Sequence, residues 1–193
     1  MSNLLRSPKV PQETLWRTVG PSGLPVTLAQ AKEHLNLSPS DTTHDSKLSS
    51  MIAAATVRVE HDTERCLLLQ TFEKRRFEFP RYKEPVTIDR KPLKEVQTVT
   101  YLDENGDSQT LDPAEYDVDE AQRALFPING WPATNKSNRA VVVTFVAGYG
   151  AASNVPDELK SAILLQLDMR FYGEDVNQQY EDLIRPYKRT SYP

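Results

Sequence analysis

A single cysteine, Cys66, among 193 residues excludes an intrachain disulfide and leaves no thiolate cluster for zinc or an iron–sulfur centre. Its place near the end of an amphipathic segment predicts a buried, small apolar role. The three histidines, His34, His44 and His61, form no HExxH and no close pair, and His61 sits between Glu60 and Asp62 as part of a polar helix face. No apolar run approaches the ~18 residues that cross a bilayer, and the opening MSNLLRSPKV lacks the apolar core of a signal peptide. The expectation is a chain that is cytosolic when made and has no membrane partner. Neither GxxxxGK[ST] nor GxGxxG occurs, and no GxSxG marks a nucleophile elbow. Gly148-Tyr149-Gly150 follows a strand pattern and precedes a helix pattern, but no lysine follows where a phosphate loop needs one. These glycines are read as a chain reversal. Catalytic residues, metal ligands and cofactors are therefore all expected to be none.

Charged side chains are plentiful, 27 acidic against 23 basic. The net charge of −4 and pI near 5.5 argue against a surface built to grip nucleic-acid phosphates. Charge is nevertheless segregated. Eight bases (Lys74, Arg75, Arg76, Arg81, Lys83, Arg90, Lys91, Lys94) stand against five acids between Glu73 and Glu95, whereas Asp103 to Glu120 holds eight acids and no base. Within the acidic stretch, Glu115, Asp117, Asp119 and Glu120 are a candidate set for a hard divalent ion, since alternating carboxylates on one strand face converge. The alternation with Tyr116 and Val118 is also what a half-buried strand with a wet outer face requires, and that reading is preferred.

Organisation follows from periodicity. Residues 1–25 carry Pro8, Pro11, Pro21 and Pro25 with Gly20 and Gly23, a composition that resists helix and central strand and reads as an extended arm with apolar Leu15, Trp16 and Val19 in it. Thr27 and Gln30 match a capping box ahead of Leu28, Ala31 and Leu35. After Ser38-Pro39-Ser40-Asp41, a longer helix starts near Thr43 to Asp45, its apolar stripe running Leu48, Met51, Ile52, Ala55, Val59. Ala53, Ala54 and Ala55 permit close approach of neighbouring backbones.

Strand patterns then occupy 71–79, 86–88, 96–102, 108–111, 116–118, 125–128 and 140–146, with a hairpin at Asn105-Gly106. The last strand is apolar on both faces, which predicts a central position. Pro156, Asp157 and Glu158 open a helix that Gly173 closes. Ala162 to Leu165 is apolar all round the axis, so this helix must be covered on more than one side, by its own helix pair and by a neighbouring subunit. The fold class is thus α+β: a small helical bundle of residues 26–68 and 155–173, an inserted antiparallel β sandwich or barrel over 69–150, and a tail over 174–193. Ile52, Ala55, Leu159, Ile163 and Leu167 are the expected core and subunit-contact positions.

Four segments, VTLAQAKEHLNL (26–37), ERCLLLQTFE (64–73), VTFVAGYG (143–150) and VPDELKSAILLQLDMRFYG (155–173), occur in an order and spacing that resembles the head-to-tail connector (adaptor, head completion) proteins of tailed bacteriophages, in the branch with a β insertion. The chain departs from that pattern at Phe171-Tyr172-Gly173-Glu174, where many relatives continue with a longer stretch.

The resemblance implies a non-enzymatic virion protein of the neck. It would form a twelvefold homo-oligomeric ring that docks on the portal protein, extends a channel through which genomic DNA passes without sequence-specific binding, and offers an attachment surface to a stopper or tail completion protein. A heterologous ring contact suits a chain with one acidic and one basic stretch, because each neighbour meets a different patch. In the tail, Tyr180, Leu183 and Ile184 give one or two further helical turns, these three with Tyr187 and Tyr192 are apolar anchors, and Arg185, Lys188 and Arg189 are an uninterrupted basic group after Asp182. They are the expected portal-binding element, ordered only on binding. Two other classes compete with this reading. One is a monomeric module that recognises a sugar or host component through Trp131 and Tyr149; the other is a divalent-metal hydrolase built on the acids from Glu115 to Glu120.

Overall fold

Thr27 opens the first helix as its sequence requires: the Gln30 N–H donates to Thr27 Oγ1 (3.2 Å) and the Thr27 N–H donates to Gln30 Oε1 (2.8 Å). In the computed structural model, which describes residues 13–137, 139–173 and 175–188, this helix belongs to a helical unit made of described residues 19–70, 90–94 and 147–188. Its helices are α1 (Leu28–His34), α2 (Asp45–Thr63), α3 (Asp157–Phe171) and α4 (Asn177–Ile184). Leu48, Ile52, Ala55 and Val59 of α2 are buried with Leu159, Ala162, Ile163 and Leu167 of α3 in one core, to which α1 adds Ala31 and α4 adds Tyr180 and Ile184. Neither α2 nor α3 buries enough apolar surface alone, so segments separated by about a hundred residues of sequence stabilise each other.

Polar contacts fix the order of these helices. Lys32, although 5% exposed, places its Nζ 2.6 Å from Asp45 Oδ1 and donates to the Asp41 carbonyl (2.7 Å), so one buried cation ties α1 to the loop and start of α2. His34 Nε2 meets Asp168 Oδ2 at 2.8 Å, and the Tyr172 hydroxyl donates to the Leu35 carbonyl at 2.6 Å, joining α1 to the end of α3. Gly173 ends that helix with φ of +78°, the left-handed conformation that glycine adopts without a Cβ penalty.

The second unit comprises described residues 13–18, 71–89 and 95–146 and holds the sheets. Its strands are β1 (Glu13–Val19), β2 (Gln70–Arg76), β3 (Val86–Thr87), β4 (Leu93–Leu102), β5 (Ser108–Thr110), β6 (Tyr116–Asp119), β7 (Ala124–Pro127) and β8 (Val141–Ala147). They form a five-stranded sheet in the order β1-β2-β8-β4-β5 and a three-stranded sheet in the order β3-β7-β6. Two open sheets replace the closed barrel that was one of the expected alternatives. In the smaller sheet both pairings are antiparallel, with Val86 opposite Leu125 and Val118 opposite Leu125 on its other edge.

β8 is central, with Val141, Val143 and Phe145 fully buried; its other face is less uniform, Val142 and Thr144 being only half-buried. Phe145 stacks on Phe72 of β2 with ring centroids 5.6 Å apart. The β4–β5 hairpin needs only one positive φ, at Gly106 (+90°), and Asn105 is not left-handed. The turn runs from Asp103 to Asp107, and the Asp103 carboxylate accepts the N–H groups of Asn105 (2.9 Å) and Asp107 (3.0 Å).

Regular elements lie within the segments read as arm and tail. The arm contains a strand, β1, at the edge of the large sheet, because Thr14-Leu15-Trp16-Arg17-Thr18-Val19 is a β-branched and aromatic run that the flanking prolines concealed. The tail contains α4, docked on the helical core.

Candidate functional site

The segments singled out for chemistry are occupied by structural tasks. Among the described residues, no three His, Cys, Asp or Glu side chains converge on a position that could hold a metal ion. Glu115 ends a 3-10 turn, and Asp117 and Asp119 lie along β6. Asp119 accepts from the Gln122 backbone (2.7 Å) and Asp112 from the Ala114 backbone (2.9 Å), so carboxylates of the acidic stretch serve as turn acceptors. The hydrogen bonds from Gln122, its backbone N–H first, hold the Asp119 carboxyl below its ordinary range. The basic stretch is likewise partly neutralised within the β unit, through Lys74 with Asp89 (2.8 Å) and Arg75 with Glu73 (2.6 Å).

Gly148 has φ of +134°, and a Cβ there would lie 2.3 Å from the Leu68 carbonyl oxygen. Its role is close backbone approach as β8 leaves the sheet. Tyr149 packs against the helical core, and its hydroxyl accepts from Arg65 Nη1 at 2.9 Å. Trp131 stacks flat on Phe79 (centroids 4.7 Å, planes 2° apart) and donates its indole N–H to the Glu84 carbonyl at 2.8 Å. An open groove of about 390 Å³ lies beside it, edged by Glu78, Arg81, Glu104 and Lys136. The Trp131 face that would stack on a sugar is partly spent on Phe79, and Tyr149 belongs to the helical unit.

The chain end carries the densest polar network. The Tyr180 hydroxyl donates to Asp62 Oδ2 (2.9 Å), which also accepts from Arg58 Nε (2.6 Å). Burial, reinforced by that carboxylate, pushes the Tyr180 phenol far above its ordinary value. Burial alone would raise the Asp62 carboxyl, but hydrogen bonds from His61, Arg58 and Tyr180 carry it below the usual range. Further along, the Tyr187 hydroxyl donates to Glu158 Oε2 (2.9 Å), while Arg65 donates to the Tyr187 carbonyl (3.3 Å) and lies 5.3 Å over its ring. Desolvation, then the bond to Glu158, pushes the Tyr187 phenol up to about 12. Lys188 pairs with Glu181 and Arg185 with Asp182.

This geometry divides the expected portal-binding residues. Tyr180 and Ile184 are buried in the chain's own core, where the 3.6-residue helical period turns them inward. Leu183 packs at the margin of that core, Arg185 is exposed, and Tyr187 and Lys188 are half-buried. Arg189 and Tyr192 lie outside the described residues. Ile52, Ala55, Leu159, Ile163 and Leu167 do come together in the core of the helical unit, each no more than 1% exposed in the single chain. The surface of α2 instead offers Ala53, Ala54 and Val57, the last 64% exposed. Sequence reasoning missed β1, whose Trp16 and Val19 are 56% and 57% exposed. The run of β-branched and aromatic residues from Thr14 to Val19 was the available signal.

No protein-family model and no curated protein matches this chain. Solved structures do. A chain of the neck of the empty GTA particle computed with C6 symmetry superposes with a TM-score of 0.75 at 18% identity, covering 93% of this chain and 97% of that one. A chain of the virion of the native gene transfer agent (GTA) particle gives 0.75 at 19% identity with the same coverage. A third, from the neck of the native GTA particle computed with C12 symmetry, gives 0.70 at 18% identity. At these identities the likeness is one of fold, and it extends over both units.

Proposed function

We propose that this chain is a structural subunit of the neck of a tailed phage or phage-like particle, a head-to-tail adaptor without catalytic activity. The observation that carries the reading is the likeness over 93% of the chain to chains from gene transfer agent necks and virions, two of them described with sixfold and twelvefold symmetry. A ring of twelve copies, joined by a heterologous contact, docks on the portal protein, continues the DNA channel, and presents its far side to a stopper or tail completion protein. A chain of net charge −4 suits a lumen through which DNA must pass without being held, since a cationic lining would retain phosphates.

The portal contact is assigned to the chain end beyond the buried turn of α4. Leu183, Arg185, Tyr187 and Lys188 form its base, and Arg189 and Tyr192 extend it. Charge complementarity from Arg185, Lys188 and Arg189 governs encounter, and the aromatic groups supply contact area. The test is electron microscopy of the purified chain with and without its portal assembly, together with co-sedimentation. Full-length chain should form rings on portals. A chain ending at Lys188 should retain the helical core yet bind portals at least tenfold more weakly. Undiminished binding by the truncated chain overturns the assignment of the tail, and absence of any ring or portal complex overturns the function.

A further inference from the structure

β1 is an edge strand held almost entirely by exchangeable contacts. None of its seven residues is buried; six are exposed and Leu15 is half-buried. It is attached to β2 by polar and cation–π contacts: the Glu13 carboxylate meets Lys74 Nζ (3.4 Å) and Arg76, the Arg75 guanidinium lies 5.7 Å over Trp16, and Thr18 Oγ1 donates to the Thr71 carbonyl (3.2 Å). The strand leaves into Gly20-Pro21-Ser22-Gly23, all four exposed, where a Cβ at either glycine would meet nothing within 4 Å.

The acceptor side is specific. Lys74 is 1% exposed and buried on the inward face of β2 with Phe72, and its ammonium has two carboxylates, Asp89 and the Glu13 that β1 supplies. Withdrawing β1 would remove one of those counter-charges and uncover the main-chain edge of β2, two costs that a strand of the same sequence cancels equally well from another copy.

From this we infer that β1 is a strand exchanged between copies: in the assembled ring, Glu13–Val19 of one subunit adds to the β2 edge of its neighbour, with Glu13 completing the charge pairing of that neighbour's Lys74 and Arg76. The inference rests on the ring reading. The occupant is fixed by charge pairing with Lys74 and Arg76, because the slot already accepts this strand, and a second copy is the one partner certain to carry it. Exchange replaces every contact made within the chain by the same contact across the subunit boundary, so it costs little enthalpy, and it ties each subunit covalently through residues 20–23 into the next subunit's sheet. The exposed Trp16 and Val19 travel with the strand into that boundary.

The experiment mixes two single variants, Thr18→Cys and Thr71→Cys, assembles them on portals, treats the rings with a short bis-maleimide, and runs denaturing gels. Wild-type chain with its buried Cys66 reports background, and mass spectrometry identifies the linked peptides. A Thr18→Cys chain cannot link to a Thr71→Cys chain while β1 stays at home. The expected result is a heterodimer in rings whose cross-link joins the peptide containing position 18 of one chain to the peptide containing position 71 of the other, and a ladder up to the closed ring from the Thr18→Cys/Thr71→Cys double variant. Rings that assemble but yield only links within one chain of the double variant overturn the exchange and leave the adaptor reading intact. Failure to form rings, read separately by electron microscopy, overturns both.

Discussion

Replacing Ile184 by alanine tests whether the chain end is part of the folded core or a free tail. Ile184 is 0% exposed and sits in the core formed by α2, α3 and α4. The substitution removes three carbons, worth ~2.4 kcal/mol at about 0.8 kcal/mol per buried methylene. A cavity beneath α4 brings the cost to ~2–5 kcal/mol, and the better helix propensity of alanine returns a few tenths. A net loss of about 3 kcal/mol, with a urea slope of ~2 kcal/mol/M, lowers the midpoint by roughly 1–2 M. The assay is the helical circular dichroism signal at 222 nm, which reports the helical unit because all four helices lie in it, whereas both tryptophans, Trp16 and Trp131, lie in the β unit and report that one separately. A midpoint within about 0.3 M of the parent chain would mean that α4 is not docked in solution, and would restore the reading of residues 174–193 as a tail that orders only on its partner. Deleting 189–193 in parallel should leave the same transition in place.

Tyr180→Phe removes a donor from a largely buried carboxylate and should cost ~1.5–3 kcal/mol near neutral pH. The hydrogen bonds that depress the Asp62 carboxyl in the folded state stabilise the fold above its unfolded value near 4, and that stabilisation is lost as pH falls through the lower folded value; the gap between parent and variant should therefore close on acidification in denaturation series from pH 7 to pH 3. Tyr187 behaves in the opposite sense. Its folded-state phenol is pushed up to about 12, so its contribution is complete below the ordinary value near 10 and is lost as pH rises from 10 to 12; absorbance titration at 295 nm should show one high-titrating tyrosine fewer in Tyr187→Phe. Gly148→Ala places a methyl carbon 2.3 Å from the Leu68 carbonyl oxygen at a φ of +134°, and should lower thermal stability more than Gly23→Ala, where a Cβ meets nothing within 4 Å.

How much of this was legible beforehand depended on whether a residue's task was local. The Thr27–Gln30 capping box and the α2 stripe from Leu48 to Val59 are formed as read, because a cap needs only residues three apart and a stripe needs only a period. So was the central place of the last strand, since only a strand covered on both sides carries Val141, Val143 and Phe145 beside Val142 and Val146. The α+β class and the likeness to a neck protein followed from the order of such elements. The candidate site residues fared differently. Tyr180 and Arg185 share one polar, aromatic-containing segment, yet one is sealed against Asp62 and the other faces solvent. Composition cannot separate them, because it carries no information on which side of a helix a distant core lies.

What the chain determined by itself is therefore a set of local features: helix starts, the Gly106 turn and strand alternation. Those are consequences of short-range sterics, capping and periodicity, which a window of a dozen residues contains. Only the tertiary structure decided that β1 joins the sheet beside β2, that Lys74 is a buried cation between Asp89 and Glu13, and that α4 closes the helical core over α2 and α3. Each depends on partners 15 to more than a hundred residues away. Long-range pairing of this kind is selected by the burial and charge matching of the whole unit, a quantity that no local stretch of sequence contains.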